Sequence, residues 1–144
     1  MKVSIIEVAT VEEEAAVIQA VAITDEIRNA VDLLENNCRS IPVIRENATI
    51  MCQTNKIYYI ESVDKKTFIY TKEECFETKY RLYELEEILS NNFLRCSKAM
   101  ICNIRKIKSV KSDFNGRMNA ELLNGEQIVI SRSYVKDLKK RLGL

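Results

Sequence analysis

The stretch FLRCSKAMICNIRKI, residues 93–107, and the later AELLNGEQIVISRSY, residues 120–134, decide how this chain reads. Both are runs of short β-type segments, rich in β-branched residues and broken by small or basic turns. The same region concentrates positive charge. From Phe93 to Leu144 twelve Lys/Arg stand against four Asp/Glu, a net of +8, whereas residues 1–92 hold ten basic and seventeen acidic residues, a net of −7. The formal total of +1 conceals this asymmetry. A cationic patch at one end suits a polyanion such as DNA.

Working outward, Asn115-Gly116 and Asn124-Gly125 are hairpin signals that supply positive φ at little cost. They separate expected strands near 107–113, 117–123 and 127–131, with another near 99–103. Upstream, strands are expected at 42–45, 48–53, 57–63, 67–71 and 74–79, divided by polar pairs such as Glu46-Asn47 and Asp64-Lys65. Residues 82–90 read as a short amphipathic helix with Leu82, Leu85, Ile88 and Leu89 on one side, and Tyr134 to Leu142 as a basic terminal helix. Pro42, the only proline, disfavours helix at Ile41 and marks a seam. Before it, residues 2–9 have the β-branched content of a strand, and 15–23 read as strand or helix, with strand favoured. Thr24 is then a helix N-cap, followed by Asp25 and Glu26 at the positive end of the dipole. Ile27, Ala30, Val31 and Leu34 continue as one apolar stripe, and Asn36-Asn37 ends the helix.

The composition excludes several functional classes. At 144 residues and 47% hydrophobic, the chain suits one globular domain with a small appendage. No apolar run reaches membrane-spanning length, and the N-terminus lacks the regions of a signal peptide, so a cytoplasmic location is expected. Five cysteines, Cys38, Cys52, Cys75, Cys96 and Cys102, are odd in number, widely spaced and without a Cys-x-x-Cys pair. They read as reduced thiols rather than a disulfide framework or zinc site. Without any histidine, Ser-His-Asp and Cys-His catalysis has no base, and the three glycines form no phosphate-cradling loop. No enzymatic role, cofactor, metal or small-molecule substrate is expected.

The order of these pieces resembles the LytTR family of bacterial DNA-binding domains, over about Ile41 to Leu144. The words that carry it are Ile57-Tyr58-Tyr59-Ile60-Glu61-Ser62, Leu82-Tyr83-Glu84-Leu85-Glu86, Phe93-x-Arg95-Cys96, Ile101-Cys102-Asn103-Ile104, Leu122-x-Asn124-Gly125 and Ile130-Ser131-Arg132-x-Tyr134. The resemblance implies a mainly β (α+β) fold of short packed antiparallel sheets with one or two short helices. It also implies loops inserted into successive major grooves of double-stranded DNA, often at paired direct repeats. Many members carry a receiver domain, for which forty preceding residues are too few. Residues 1–40 instead resemble the strand-strand-helix extension of small stand-alone members. That extension would complete the sheet or pair with a second protomer as a homodimer.

By motif, the resemblance places base-reading side chains on three loops. The first holds Asp64, Lys65, Lys66 and Thr67, the second Ser97 and Lys98, and the third Arg132 and Ser133. Ser97-Lys98 stands where members often have His-Arg or His-Asn, and Ser133 where arginine is common, so no target sequence carries over. Lys98 and Arg132 suit guanine O6 and N7. Lys65, Lys66, Lys108, Lys111 and Arg117 suit phosphates, which need charge more than geometry. Lys136, Lys139, Lys140 and Arg141 crowd the terminal helix, where complementing the dipole explains some of them. Arg95 would brace its loop through a carboxylate or carbonyl, and Asn103 would stabilise a turn. Cys96, close to Arg95 and Lys98, is either a structural thiol or one whose thiolate is favoured by nearby cations. The expected function is sequence-specific transcriptional regulation. The alternative is a protein-interaction module that has lost specific DNA binding.

Overall fold

The computed structural model describes residues 1–36 and 39–144 and divides the chain into two units, Met1–Asn37 and Cys38–Leu144. Among the described residues of the first unit the two expected strands do not form: residues 2–9 and 15–23 belong to no strand. Val3, Ile5 and Ile6 are 82%, 93% and 81% exposed. The β-branched composition is real, but a strand needs the N–H and C=O groups of a neighbour, and two strands alone bury too little apolar surface. The helix does form. α1 (Asp25–Asn36) begins where Thr24 Oγ1 accepts a hydrogen bond from the Ile27 amide at 3.4 Å, the geometry of an N-cap. Ile27, Ala30 and Val31 of its stripe are half-buried. Asn37 and Cys38, assigned above to a helix end and a reduced thiol, lie outside the described residues.

In the second unit turn chemistry closes one hairpin after another. β1 (Ser40–Arg45) and β2 (Ala48–Gln53) are joined by Glu46 and Asn47, with φ of 48° and 64°. β3 (Tyr59–Val63) and β4 (Lys66–Tyr70) are joined by Asp64 and Lys65, with φ of 51° and 65°. Two successive left-handed residues give the backbone twist that antiparallel partners require. β5 (Cys75–Thr78) follows, then α2 (Leu82–Ile88), whose Glu84 carboxylate accepts from the Arg81 amide at 3.0 Å. β6 (Phe93–Ser97), not among the expected strands, pairs with β7 (Met100–Asn103) across a bulge between Arg95 and Ser97. β8 (Ile107–Ser112), β9 (Met118–Leu122) and β10 (Gln127–Ile130) make a second sheet. α3 (Arg132–Leu142) closes the chain and ends on Gly143 at φ 76°.

The first sheet has seven antiparallel strands in the order β2-β1-β5-β4-β3-β7-β6, and the second has three in the order β10-β9-β8. Each face of the larger sheet supplies a core. Ile41, Val43, Ile60, Ile69 and Ile101 pack with Leu82, Leu85 and Leu89 from α2 and its end. Tyr58, Cys96 and Cys102 pack with Met118, Ala120, Leu122, Ile128 and Ile130 of the smaller sheet and Leu138 of α3. β7 therefore sends Ile101 to one core and Cys102 to the other. Burying about a dozen large apolar side chains supplies the driving force. Asn103 locks the junction: its amide donates to the Ile57 carbonyl at 2.8 Å, and its Oδ1 accepts from the Arg105 amide at 3.1 Å. No helix among the described residues is long and apolar enough to cross a membrane.

Candidate nucleic-acid interface

Two backbone hydrogen bonds and one close approach to a side chain gather separate loops at one end of the second unit. The Ser62 amide, at the end of β3, donates to the Ala99 carbonyl in the β6–β7 turn at 2.8 Å. The β3–β4 turn at Asp64-Lys65 thus lies beside the turn carrying Lys98. The Ser131 amide donates to the Cys96 carbonyl at 2.8 Å, which sets the start of α3 against β6 just before that turn. The β8–β9 turn reaches the same place, because a Cβ on Gly116 would stand 2.9 Å from Cδ of Arg132. Three hairpin turns and a helix start, far apart in sequence, share one surface.

α2 stiffens this end from behind. Arg81 donates from Nη1 to the Lys65 carbonyl at 3.0 Å and so fixes the first turn. Arg95 fixes the second. Its Nε meets the Glu86 carboxylate at 2.7 Å, and its Nη1 donates to the Lys98 carbonyl at 2.7 Å. Arg95 thus uses a carboxylate and a carbonyl together, through the planar fork that a lysine lacks. Within the turn, Ser97 Oγ accepts from the Ala99 amide at 3.2 Å. This bond holds the serine hydroxyl inward while Lys98 stays exposed.

The residues read from sequence separate on this frame. Lys65, Lys66, Lys98, Arg132, Ser133 and Lys136 are exposed, and Arg95 and Ser97 are half-buried. Thr67 is a correction: it is 3% exposed, because it lies on the same face of β4 as the buried Ile69, and a period of two carries it inward. Arg132 and Ser133 are a second correction. They do not occupy a loop but form the first turn of α3, which begins two residues earlier than expected. Ser131 stands at the N-cap without a side-chain capping bond, and the first turn carries no acidic residue. The positive end of the helix dipole and the Arg132 side chain therefore share one location. Lys136 and Lys140 continue from Arg132 at intervals of four, which makes a basic stripe opposite the buried Leu138.

Cys96 corrects the thiolate reading. It is 1% exposed, and its Sγ lies 3.5 Å from the Met100 carbonyl, to which the thiol donates. The Cys102 thiol beside it, and then burial, push its pKa well up, outweighing the lowering from Arg95. It is a packed thiol under the turn. The β8–β9 turn at Gly116 was missing from the sequence-derived loops altogether. The signal available for it was Asn115-Gly116, read there only as a hairpin turn.

Comparison with known proteins gives consistent matches. Residues 47–143 match the family model of the LytTr DNA-binding domain. A solved LytTr DNA-binding domain, from a Bacillus cereus chain described as a methyl-accepting/DNA response regulator, superposes with a TM-score of 0.69 at 30% identity. That match covers 73% of this chain and 97% of the other. Similar curated proteins include the sensory transduction protein LytT of Enterococcus faecalis, 27% identical over 73% of this chain and 44% of the relative. An uncharacterized HTH-type transcriptional regulator of Staphylococcus aureus is 30% identical over 82% of this chain and 80% of its own length. The chain spans under half the length of the LytT and YpdB regulators that it matches.

Proposed function

This chain belongs to the LytTR family of DNA-binding domains, and on that premise we propose that it is a cytoplasmic, sequence-specific transcriptional regulator reading the major groove through its turns. The observation that carries the reading is the gathering of the β3–β4 turn, the β6–β7 turn and the start of α3 on one surface that presents Lys65, Lys66, Lys98, Arg132 and Lys136. Lys98 and Arg132 are assigned to base edges, where a good bidentate contact to guanine contributes about 1–3 kcal/mol of discrimination. Lys65, Lys66 and Lys136 are assigned to phosphates, which add affinity and salt dependence. Ser133 supplies a hydroxyl at the same surface, whereas the Ser97 hydroxyl shapes the Lys98 turn by accepting from the Ala99 amide. Arg95 is a positioning residue, because both of its bonds are spent on holding the Lys98 turn. The α3 amides suit a phosphate oxygen, since no carboxylate in the first turn competes for them.

The target is assigned to paired direct repeats, with one copy of the chain on each. The first unit is assigned to joining the copies: Val3, Ile5, Ile6 and Val8 are exposed apolar residues on a segment of strand-forming composition. Residues 1–40 and 41–144 would then be a pairing extension and a DNA-binding domain.

Selection from a random duplex library at two salt concentrations tests the reading. A paired direct-repeat motif should be recovered by the wild type and lost with Lys98→Ala, while Lys139→Ala should weaken specific and non-specific binding alike, and modestly. Retention without an enriched motif would overturn sequence-specific reading. No retention even at low salt would overturn DNA binding and leave an interaction module.

A further inference from the structure

We propose that Phe114 is an apolar DNA contact, its ring meeting thymine methyl groups beside the bases read by the other turns. The inference rests on the DNA-binding reading above and adds to it a contact that the charge pattern conceals. Phe114 is 86% exposed at the tip of the β8–β9 turn, whereas Phe68, Phe76 and Phe93 are half-buried or buried.

The ring is held out by a closed turn. The Asp113 carboxylate accepts from the Phe114 amide at 2.7 Å, and the Asp113 amide donates to the Arg117 carbonyl at 2.9 Å. Asn115 and Gly116 complete the reversal with φ of 65° and 76°. At Gly116 the backbone runs against the aliphatic stem of Arg132, which a Cβ there would force to shift. The backbone that carries the ring is therefore fixed two residues from the point where this turn meets the start of α3, on the surface that carries Lys98 and Arg132.

The surroundings of the ring select its partner. Ser112, Asn115 and Gly116 beside it are polar or small, the Asp113 carboxylate is engaged by the Phe114 amide of its own turn, and Lys111 and Arg117 flank the turn as exposed cations. A protein partner would call for a contiguous apolar patch, with the ring at its centre. A single ring framed by cations matches a major groove instead, where isolated thymine methyl groups lie between two phosphate rims.

The test measures affinity for the selected duplex with wild type, Phe114→Ser and Phe114→Leu over a range of salt, and on duplexes with each thymine replaced by deoxyuridine. Phe114→Ser should weaken binding roughly tenfold, while the slope against salt stays unchanged because no phosphate contact is lost. Phe114→Leu should retain most of the affinity. Removing one or two particular thymine methyls should weaken the wild type and leave Phe114→Ser unaffected. Equal affinities for wild type and Phe114→Ser would overturn the proposal, as would methyl removal that weakens both equally. A wild type that prefers no duplex over random sequence would overturn the DNA-binding reading as well, and the wild-type titration alone reveals it. Because the ring is exposed, both variants should keep the wild-type unfolding midpoint.

Discussion

Residues 2–9 and the strand β10 have similar chemistry and opposite fates. Lys2-Val3-Ser4-Ile5-Ile6-Glu7-Val8 has four β-branched residues in seven and Gln127-Ile128-Val129-Ile130 three in four, yet among the described residues the first is exposed and in no strand, while the second is hydrogen-bonded along β9. The difference lies beyond the strands. β10 follows Asn124-Gly125, where Gly125 takes φ of 88° and the Leu122 amide meets the Glu126 carbonyl at 2.8 Å. Among the described residues, no such turn follows the N-terminal segment and no strand pairs with it. Propensity becomes a strand only where a turn or a core delivers a neighbour.

The largest break in this comparison comes from the cores. Ile60→Ala, at a site with no exposure, should cost about 2–5 kcal/mol of unfolding free energy. Ile5→Ala, at 93% exposure, should stay within about 0.5 kcal/mol. Chemical denaturation measures both, and comparable losses would mean that the N-terminal segment is buried after all.

Next in size, Arg95→Ala should release the Lys98 turn from Glu86. Specific DNA affinity should fall about tenfold or more, as expected for a misplaced base contact, while stability falls by about 1 kcal/mol because the ion pair is partly exposed. Arg95→Lys should restore little of the affinity, since one ammonium cannot serve both acceptors. Full affinity in Arg95→Ala would remove the bracing role.

A smaller effect separates the turn from the charge it carries. Lys65 adopts φ of 65°, so Lys65→Gly should relieve backbone strain and gain up to about 1 kcal/mol in thermal denaturation. It should also weaken DNA binding and make the salt slope shallower by about one. Loss of stability would mean that the lysine side chain, rather than its backbone, supports the turn.

The smallest effect belongs to α1. Hydrogen bonds from its own backbone amide, and then from Thr24, hold the Glu26 carboxyl below its ordinary value. A depressed carboxyl stabilises the helix above the unfolded-state pKa, and that contribution disappears as pH falls through the folded value. The protection of the amides at residues 25–28, taken relative to their intrinsic exchange at each pH, should therefore fall on acidification from neutral pH while that of β10 stays high. A rate set by intrinsic exchange chemistry alone would remove the cap.

Much of the second unit was legible because its signals are local. Asn115-Gly116, Asn124-Gly125 and the polar pairs Glu46-Asn47 and Asp64-Lys65 punctuate the chain where the hairpins turn. β6 escaped because apolar residues stand on both of its faces: Phe93 packs against one core, while Leu94 and Cys96 meet the other, which blurs the alternation that marks a one-sided strand. Thr67 was readable as buried from its spacing to Ile69 in the expected strand 67–71, but the family resemblance counted it with the turn after the Ile-Glu-Ser strand.

Local residue patterns alone specify the strand-and-turn grammar, the cap at Thr24, the charge asymmetry and the family words from Ile57 to Tyr134. Each depends on residues a few positions apart. Only the tertiary structure decided that Thr67 and Cys96 point inward, that Arg132 opens a helix, and that Arg95 holds the Lys98 turn against Glu86. It alone set Phe114 beside Arg132 on one surface with Lys98. Those facts depend on which strands neighbour one another in two sheets sharing a core, and strand neighbours are chosen by long-range packing that local residue spacing does not encode.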